Sequence, residues 1–328
     1  MVNPKTLALG LFLLTCQGAL FSQQLPLFTQ YREYYGYINP AALTTDFLAS
    51  SRYSFNAFGV SHREQWLSGK FSAVRTSVAR GEFFFETGSS VSFVAGGYFM
   101  SDKVGSTNQV GFLGRGAVYL GDPAHNFFGL GFTAGAVQYS IKIDQRKFRV
   151  NNAGDPLVND LTSDAKPDLG VGLFGVMELG KDINVYGGVS MPQLFGLAFD
   201  LSPPGQEGLF TYEKTLHLYN YAGVYINTSF GNQDYSFIEI STWGKYIPGL
   251  SYHADFNFRY QISTPFWVGA GIATTGTAHL ETGFNIGISG RDGYMKLGFG
   301  YDVPFSNDIH SYIGSSFEVN LSFIFEKS

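Results

Sequence analysis

The chain has 328 residues, a formal net charge of −5, 17% aromatic residues, 41 glycines and only 14% charged residues. That charge fraction is well below the quarter usual for soluble domains, and the acidic balance argues against nucleic acid as a partner. Mean hydropathy is +0.01, and beyond Leu14 no apolar run is long enough to make a membrane helix.

Residues 1–22 read as a secretory signal peptide. Lys5 supplies the positive charge, residues 7–14 (LALGLFLL) form a short apolar core, and Ala19-Leu20-Phe21-Ser22 places the cleavage site after Ser22. The single cysteine, Cys16, lies inside this segment. A lipid-bearing Cys16 would follow Leu13-Leu14-Thr15, but Thr15 is a poor residue at that position. Cleavage after Ser22 leaves a mature chain with neither disulfides nor thiolate metal sites.

Residues 23–46 precede the first expected strand. Tyr31, Tyr34, Tyr35 and Tyr37 make the segment sticky, and Asn39 before Pro40 starts a turn, because the residue before proline avoids helical backbone angles. Three placements fit: a plug folded back into a lumen, a contact with a periplasmic partner, or packing at the base of a barrel.

Strand signals then recur at 47–57, 69–79, 89–100, 107–120, 127–141, 168–178, 183–191, 215–229, 235–243, 250–261, 265–274, 279–289, 293–302 and 315–325, about fourteen in all. The last is the clearest. Phe317, Val319, Leu321, Phe323 and Phe325 share one parity, and Glu318, Asn320 and Ser322 the other. Tyr252, Ala254, Phe256, Phe258 and Tyr260 alternate likewise with His253, Asp255, Asn257, Arg259 and Gln261. Between 127 and 141, Phe128, Leu130, Phe132 and Ala134 face away from Gly129, Gly131, Thr133 and Gly135.

A soluble sandwich alternates too, but the secretory signal, the low charge and the even strand count select a transmembrane antiparallel barrel, apolar outside and polar or glycine inside. Residues 47–328 are assigned to it, in the outer membrane among outer-membrane lipid. The longest connections, 142–167 and 192–214, are the fifth and seventh, with smaller odd ones at 58–68 and 303–314. Even ones such as Gly180-Lys181-Asp182 are tight, as expected if odd connections are external and even ones periplasmic.

Chemistry-bearing motifs are few. Gly170, Gly172 and Gly175 fit a dinucleotide fingerprint only by spacing, since they sit inside an alternating strand with no helix after it. His253 with Asp255, and His279 with Glu281, share strand faces, but polar residues must line a lumen anyway. No serine is fixed near a histidine, so no hydrolase nucleophile is expected, nor any cofactor or metal. Partner contact is expected in the two long loops, through Arg146, Lys147 and Arg149 in the fifth and Leu194, Phe195 and Phe210 in the seventh.

Several motifs together resemble one family. Phe28-Thr29-Gln30-Tyr31 followed by Asn39-Pro40-Ala41 is similar to the opening of the PorP/SprF proteins, outer-membrane components of the type IX secretion and gliding system of Bacteroidota. Arg63-Glu64-Gln65-Trp66 resembles the family's R-x-Q-W. Asp102-Lys103-Val104-Gly105-Ser106-Thr107-Asn108-Gln109 resembles its D-K-I-G-P-T-N-Q, with Ser106 in place of proline. Asp155-Pro156-Leu157 and Lys166-Pro167-Asp168-Leu169-Gly170 follow a further stretch, with Asp168-Leu169 where the family has Asn-Phe. The resemblance implies a non-enzymatic barrel that helps deliver or anchor a secreted protein carrying a type B C-terminal sorting domain. It also implies a periplasmic peptidoglycan-binding OmpA-like lipoprotein as partner. The alternative reading is a barrel that passes small or hydrophobic solutes.

Overall fold

In a computed structural model the described residues are 27–43, 55–67, 74–87, 90–122, 125–142, 160–203, 210–228, 236–249, 252–263, 265–288, 293–306 and 314–326. Among them, β1 (Phe55–Gln65), β2 (Val74–Glu86), β3 (Val91–Val104), β4 (Thr107–Asp122) and β5 (Asn126–Ile141) run antiparallel in sequence order. The wall continues with β7 (Lys166–Glu178), β8 (Ile183–Gln193), β11 (His217–Thr228), β12 (Ser236–Tyr246), β13 (His253–Ser263) and β14 (Phe266–Ala273). It ends with β15 (Thr277–Gly287), β16 (Gly293–Pro304) and β17 (Ser316–Glu326).

β17 pairs back onto β1, with Arg63 opposite Glu318 and Ser61 opposite Asn320, and this pairing closes the barrel. The sheet has fifteen strands counting β6 (Leu161–Thr162), a two-residue addition to the edge of β5, so fourteen strands form the wall. A separate hairpin, β9 (Leu197–Leu201) with β10 (Phe210–Lys214), lies in the connection between β8 and β11.

The alternation resolves as a barrel with its core inside out. Phe112, Phe132 and Leu280 are each about 60% exposed on the outer wall, whereas Glu318 and Glu239 inside are fully buried. Every apolar residue of the β17 stripe faces outward, and Glu318, Asn320 and Ser322 face the lumen.

Two mouths follow from the connections. One carries the segments after β1, β5, β8 and β16, including every long connection. The other carries the short turns after β2, β4, β7, β13 and β15, and the end of β17. By the usual asymmetry of such barrels the first is external and the second periplasmic.

One boundary differs from expectation. The first strand is Phe55–Gln65, so most of the loop expected at 58–68 is strand, and residues 47–54 lie outside the described residues. The second strand is correspondingly later and longer, Val74–Glu86. The apolar outer stripe of β1 stops at Val60, and His62 and Glu64 then share its outward parity. Near the external mouth a strand has left the hydrocarbon layer and its outer face no longer needs to be apolar, so the alternation that marks a strand fades.

Candidate functional site

The lumen is occupied by residues 27–43. Within this stretch Phe28 to Leu43 are all buried. Tyr31–Tyr34 form one 3-10 turn and Tyr35–Ile38 one α-helical turn, held by Glu33 N–H donating to Gln30 O at 2.9 Å and Asn39 N–H to Tyr35 O at 2.7 Å. Asn39 then adopts extended backbone (φ −139°, ψ 115°), as required before Pro40. Its side chain organises the turn: Oδ1 accepts from Ala41 N–H at 2.8 Å, and Nδ2 donates to Leu173 O at 2.8 Å.

The segment descends from the external mouth. Leu27 and Phe28 lie beside Trp243, His253, Asp255 and Asp302, near the external ends of their strands. The hydroxyl of Thr29 donates to Asp302 at 2.7 Å, and the backbone N–H groups of Thr29 and Gln30 donate to Glu318 at 2.9 and 3.1 Å. Arg63 bonds the Thr29 hydroxyl and pairs with both Asp302 and Glu318, the latter at 3.2 Å. These contacts form one latch.

Midway, Arg32 pairs with Glu281 and, at 3.4 Å, with Glu239, which also holds Arg259 at 2.9 Å. Glu33 is held by Lys296 and, at 3.1 Å, by Arg80. The tyrosines fill the remaining width. Tyr31 donates to Ser241 at 2.5 Å, Tyr35 stacks on Tyr221 with centroids 5.0 Å apart, and Tyr37 meets Tyr98 edge-on at 5.2 Å. Burial pushes the phenols of Tyr31, Tyr34, Tyr35 and Tyr37 well above the ordinary tyrosine range.

At the lower end the backbone is gripped again. Ser190 donates to Ile38 O at 2.6 Å, and Arg115 donates to Pro40 O at 2.8 Å and to Ala42 O, while also pairing with Glu82. Pro40 lies so close to Gly131, and Asn39 to Gly172, that a Cβ at either glycine would strike them. The glycine of the false dinucleotide fingerprint is therefore the bed of the Asn39 turn.

Of the motif positions, Asn39, Pro40 and Ala41 belong to this segment. Gln65 faces inward at the end of β1, and Trp66 follows it in left-handed backbone (φ 65°), a strained position for a non-glycine residue. Asp102 and Gln109 are opposite one another on β3 and β4 and both face the lumen, where Asp102 accepts from Thr76 at 2.6 Å and Gln109 from Tyr139 at 2.6 Å. Lys103 and Asn108 are paired on the outer side, and Gly105 (φ 62°) makes the left-handed link before Thr107 that so short a turn needs.

Asp155, Pro156, Arg146, Lys147 and Arg149 lie outside the described residues. In the seventh connection Phe195 is exposed, and Leu194 is half-buried with its N–H on Leu169 O. Phe210 opens β10 opposite Leu201. The hairpin turns apolar groups inward, with Phe199 on Tyr139 at 4.5 Å, and Lys214 is buried against Asp168 at 2.8 Å. The Asp168 departure from the family pattern thus carries an ion pair at the foot of this cap.

His279 and Asp255 approach to 3.7 Å, but Glu281 is taken by Arg32. Among the described residues no group of three or more His, Cys, Asp or Glu side chains is placed to hold a metal. The residues that sequence reasoning left out of the site are Arg63, Arg115, Ser190, Glu318 and the Arg32–Glu33 pair. Their signal was present: they are charged or polar residues at inward parity, or in the leading segment, of a chain with few charges.

The model of the type IX secretion system membrane proteins PorP/SprF matches residues 20–323. This chain belongs to the PorP/SprF family. It is an outer-membrane barrel of a secretion system, not an enzyme, and it works with that system's secreted cargo. A search of curated proteins finds no significant match. Among solved structures, this PorP/SprF protein is similar to the translocator domain of the autotransporter NalP from Neisseria meningitidis, at 11% identity and TM-score 0.51, over 86% of this chain and 92% of that one. It is also similar to a deltaS2 mutant of the monoaromatic hydrocarbon channel TodX, at 9% identity and TM-score 0.55, over 89% and 94% of the two chains. At such identities the likeness is one of barrel fold alone.

Proposed function

We propose that this protein is the outer-membrane accessory for a dedicated secreted client, which it delivers to or anchors on the cell surface. The observation that carries the reading is the filled lumen: ion pairs and backbone bonds hold residues 27–43 along the space a solute would need. The client is one bearing a type B C-terminal sorting domain, and the periplasmic partner is a peptidoglycan-binding OmpA-like lipoprotein; both rest on the family. Residues 1–22 act as the signal peptide, cut after Ser22, and residues 23–46 precede the barrel proper. Partner contact is assigned to the external connections that hold Arg146, Lys147, Arg149, Leu194, Phe195 and Phe210.

Deletion of the gene, followed by quantitative proteomics of surface and medium, tests this. Loss of one large secreted protein identifies the client; loss of the whole secretome makes the barrel a core component instead; an unchanged surface refutes both. The solute-transport alternative has one observation on its side, a concavity of about 700 Å3 on the lipid-facing wall between Phe256, Ile272, Leu280 and Tyr301. Solute-dependent conductance in a planar bilayer would favour it.

A further inference from the structure

The wall grips the lumen segment by its main chain as well as by its side chains. At the external end Glu318 accepts the N–H groups of Thr29 and Gln30. At the lower end Arg115 donates to the carbonyls of Pro40 and Ala42, and Ser190 to that of Ile38. A carboxylate reads two consecutive donors and a guanidinium reads two nearby acceptors, and such groups occur in every polypeptide whatever its sequence. Not every side chain of the segment is served in return: both polar atoms of Gln30 and the Tyr37 hydroxyl are buried without a hydrogen-bond partner.

We infer that the lumen is a polypeptide-binding site that reads main chain, that residues 27–43 are its resident occupant, and that a segment of the secreted client takes their place during delivery. The inference rests on the secretion reading above. The latch of Arg63, Asp302 and Glu318 holds the leading end near the external mouth, and Arg115, midway along β4, holds the trailing end. Release of the resident at Arg115, Ser190 and the latch exposes their hydrogen-bonding groups to an incoming chain. Exchange then needs no large empty channel, because each backbone bond given up by the resident is offered to the newcomer.

A disulfide between segment and wall separates this from a permanent plug. The Cβ direction of Gly300 ends 3.2 Å from the Thr29 Cβ, close to the roughly 3.5–4.5 Å spacing of a disulfide. Cys16 is the only native cysteine. Cells carrying Thr29→Cys with Gly300→Cys are grown under oxidising and reducing conditions, with each single variant as control and the amount of assembled barrel measured by heat-modifiable gel mobility. The expected result is that oxidation lowers the surface client of the double variant to the level of the deletion strain, relative to the same variant kept reduced and to each single variant under oxidation. Full delivery by the oxidised variant overturns the inference while leaving the deletion phenotype, and so the secretion reading, intact. A deletion strain with an unchanged surface would instead remove the reading on which the inference rests.

If the double variant does not assemble, Thr29→Cys alone is labelled with a membrane-impermeant maleimide in cells with and without the client gene. Faster labelling in client-producing cells supports exchange, and equal rates overturn it.

Discussion

At the scale of residues, the lumen buries a cluster of charged side chains, and most of them face an opposite charge. Such buried pairs are weak sources of stability as pairs, but removing one partner strands the other at about 3–5 kcal/mol. Arg63→Ala would strand both Asp302 and Glu318 and release Thr29, and Arg115→Ala would strand Glu82 and two carbonyls. Both should markedly lower the unfolding temperature read by heat-modifiable gel mobility. Arg75→Ala removes only an outward pair with Glu64 at 2.5 Å, with Arg75 half exposed, and should cost less than about 1 kcal/mol.

The buried phenols give a pH dependence of fixed sign. Their folded pKa values lie above the unfolded value, so their stabilisation is complete below about pH 10 and is lost as pH rises beyond it. Alkaline titration followed by phenolate absorbance should show these four tyrosines ionising only as the barrel unfolds. Ionisation of all tyrosines with the barrel still folded would contradict their burial.

At the scale of elements, the strands were legible wherever the bilayer imposes alternation, as in β13, β15 and β17, and less so where it does not. β1 was displaced because His62 and Glu64 occupy outward positions beyond the hydrocarbon band. In β12, Phe237 breaks the pattern from the inside, buried beneath the Arg259 guanidinium at 5.2 Å and against Tyr225 at 5.0 Å. The hairpin of β9 and β10 read as a loop because it is short and lies off the wall. The bed of the lumen segment was invisible for another reason: Gly131 and Gly172 are far apart in sequence, become partners only when β5 pairs with β7, and meet Pro40 and Asn39 only when the segment enters the lumen. Their role predicts that Gly131→Val pushes Pro40 away and loosens the lower end of the segment. Proteolysis from the periplasmic side should then cut within residues 27–43 faster than in the unaltered protein; unchanged protection would mean the close packing at Gly131 does not hold the segment.

At the scale of the whole molecule, fold class and closure follow from parity and from charge scarcity, whereas the content of the lumen depends on contacts between residues hundreds of positions apart, such as Thr29 with Glu318. Under the proposed function, a barrel that packs residues 27–43 in its lumen handles polypeptide and is closed to solutes at rest. Single-channel recording in planar bilayers tests this most directly, comparing the mature protein with a variant lacking residues 27–43. The account predicts a silent mature protein and a conducting variant. Stable, solute-dependent conductance from the mature protein, unchanged when the segment is removed, would contradict it.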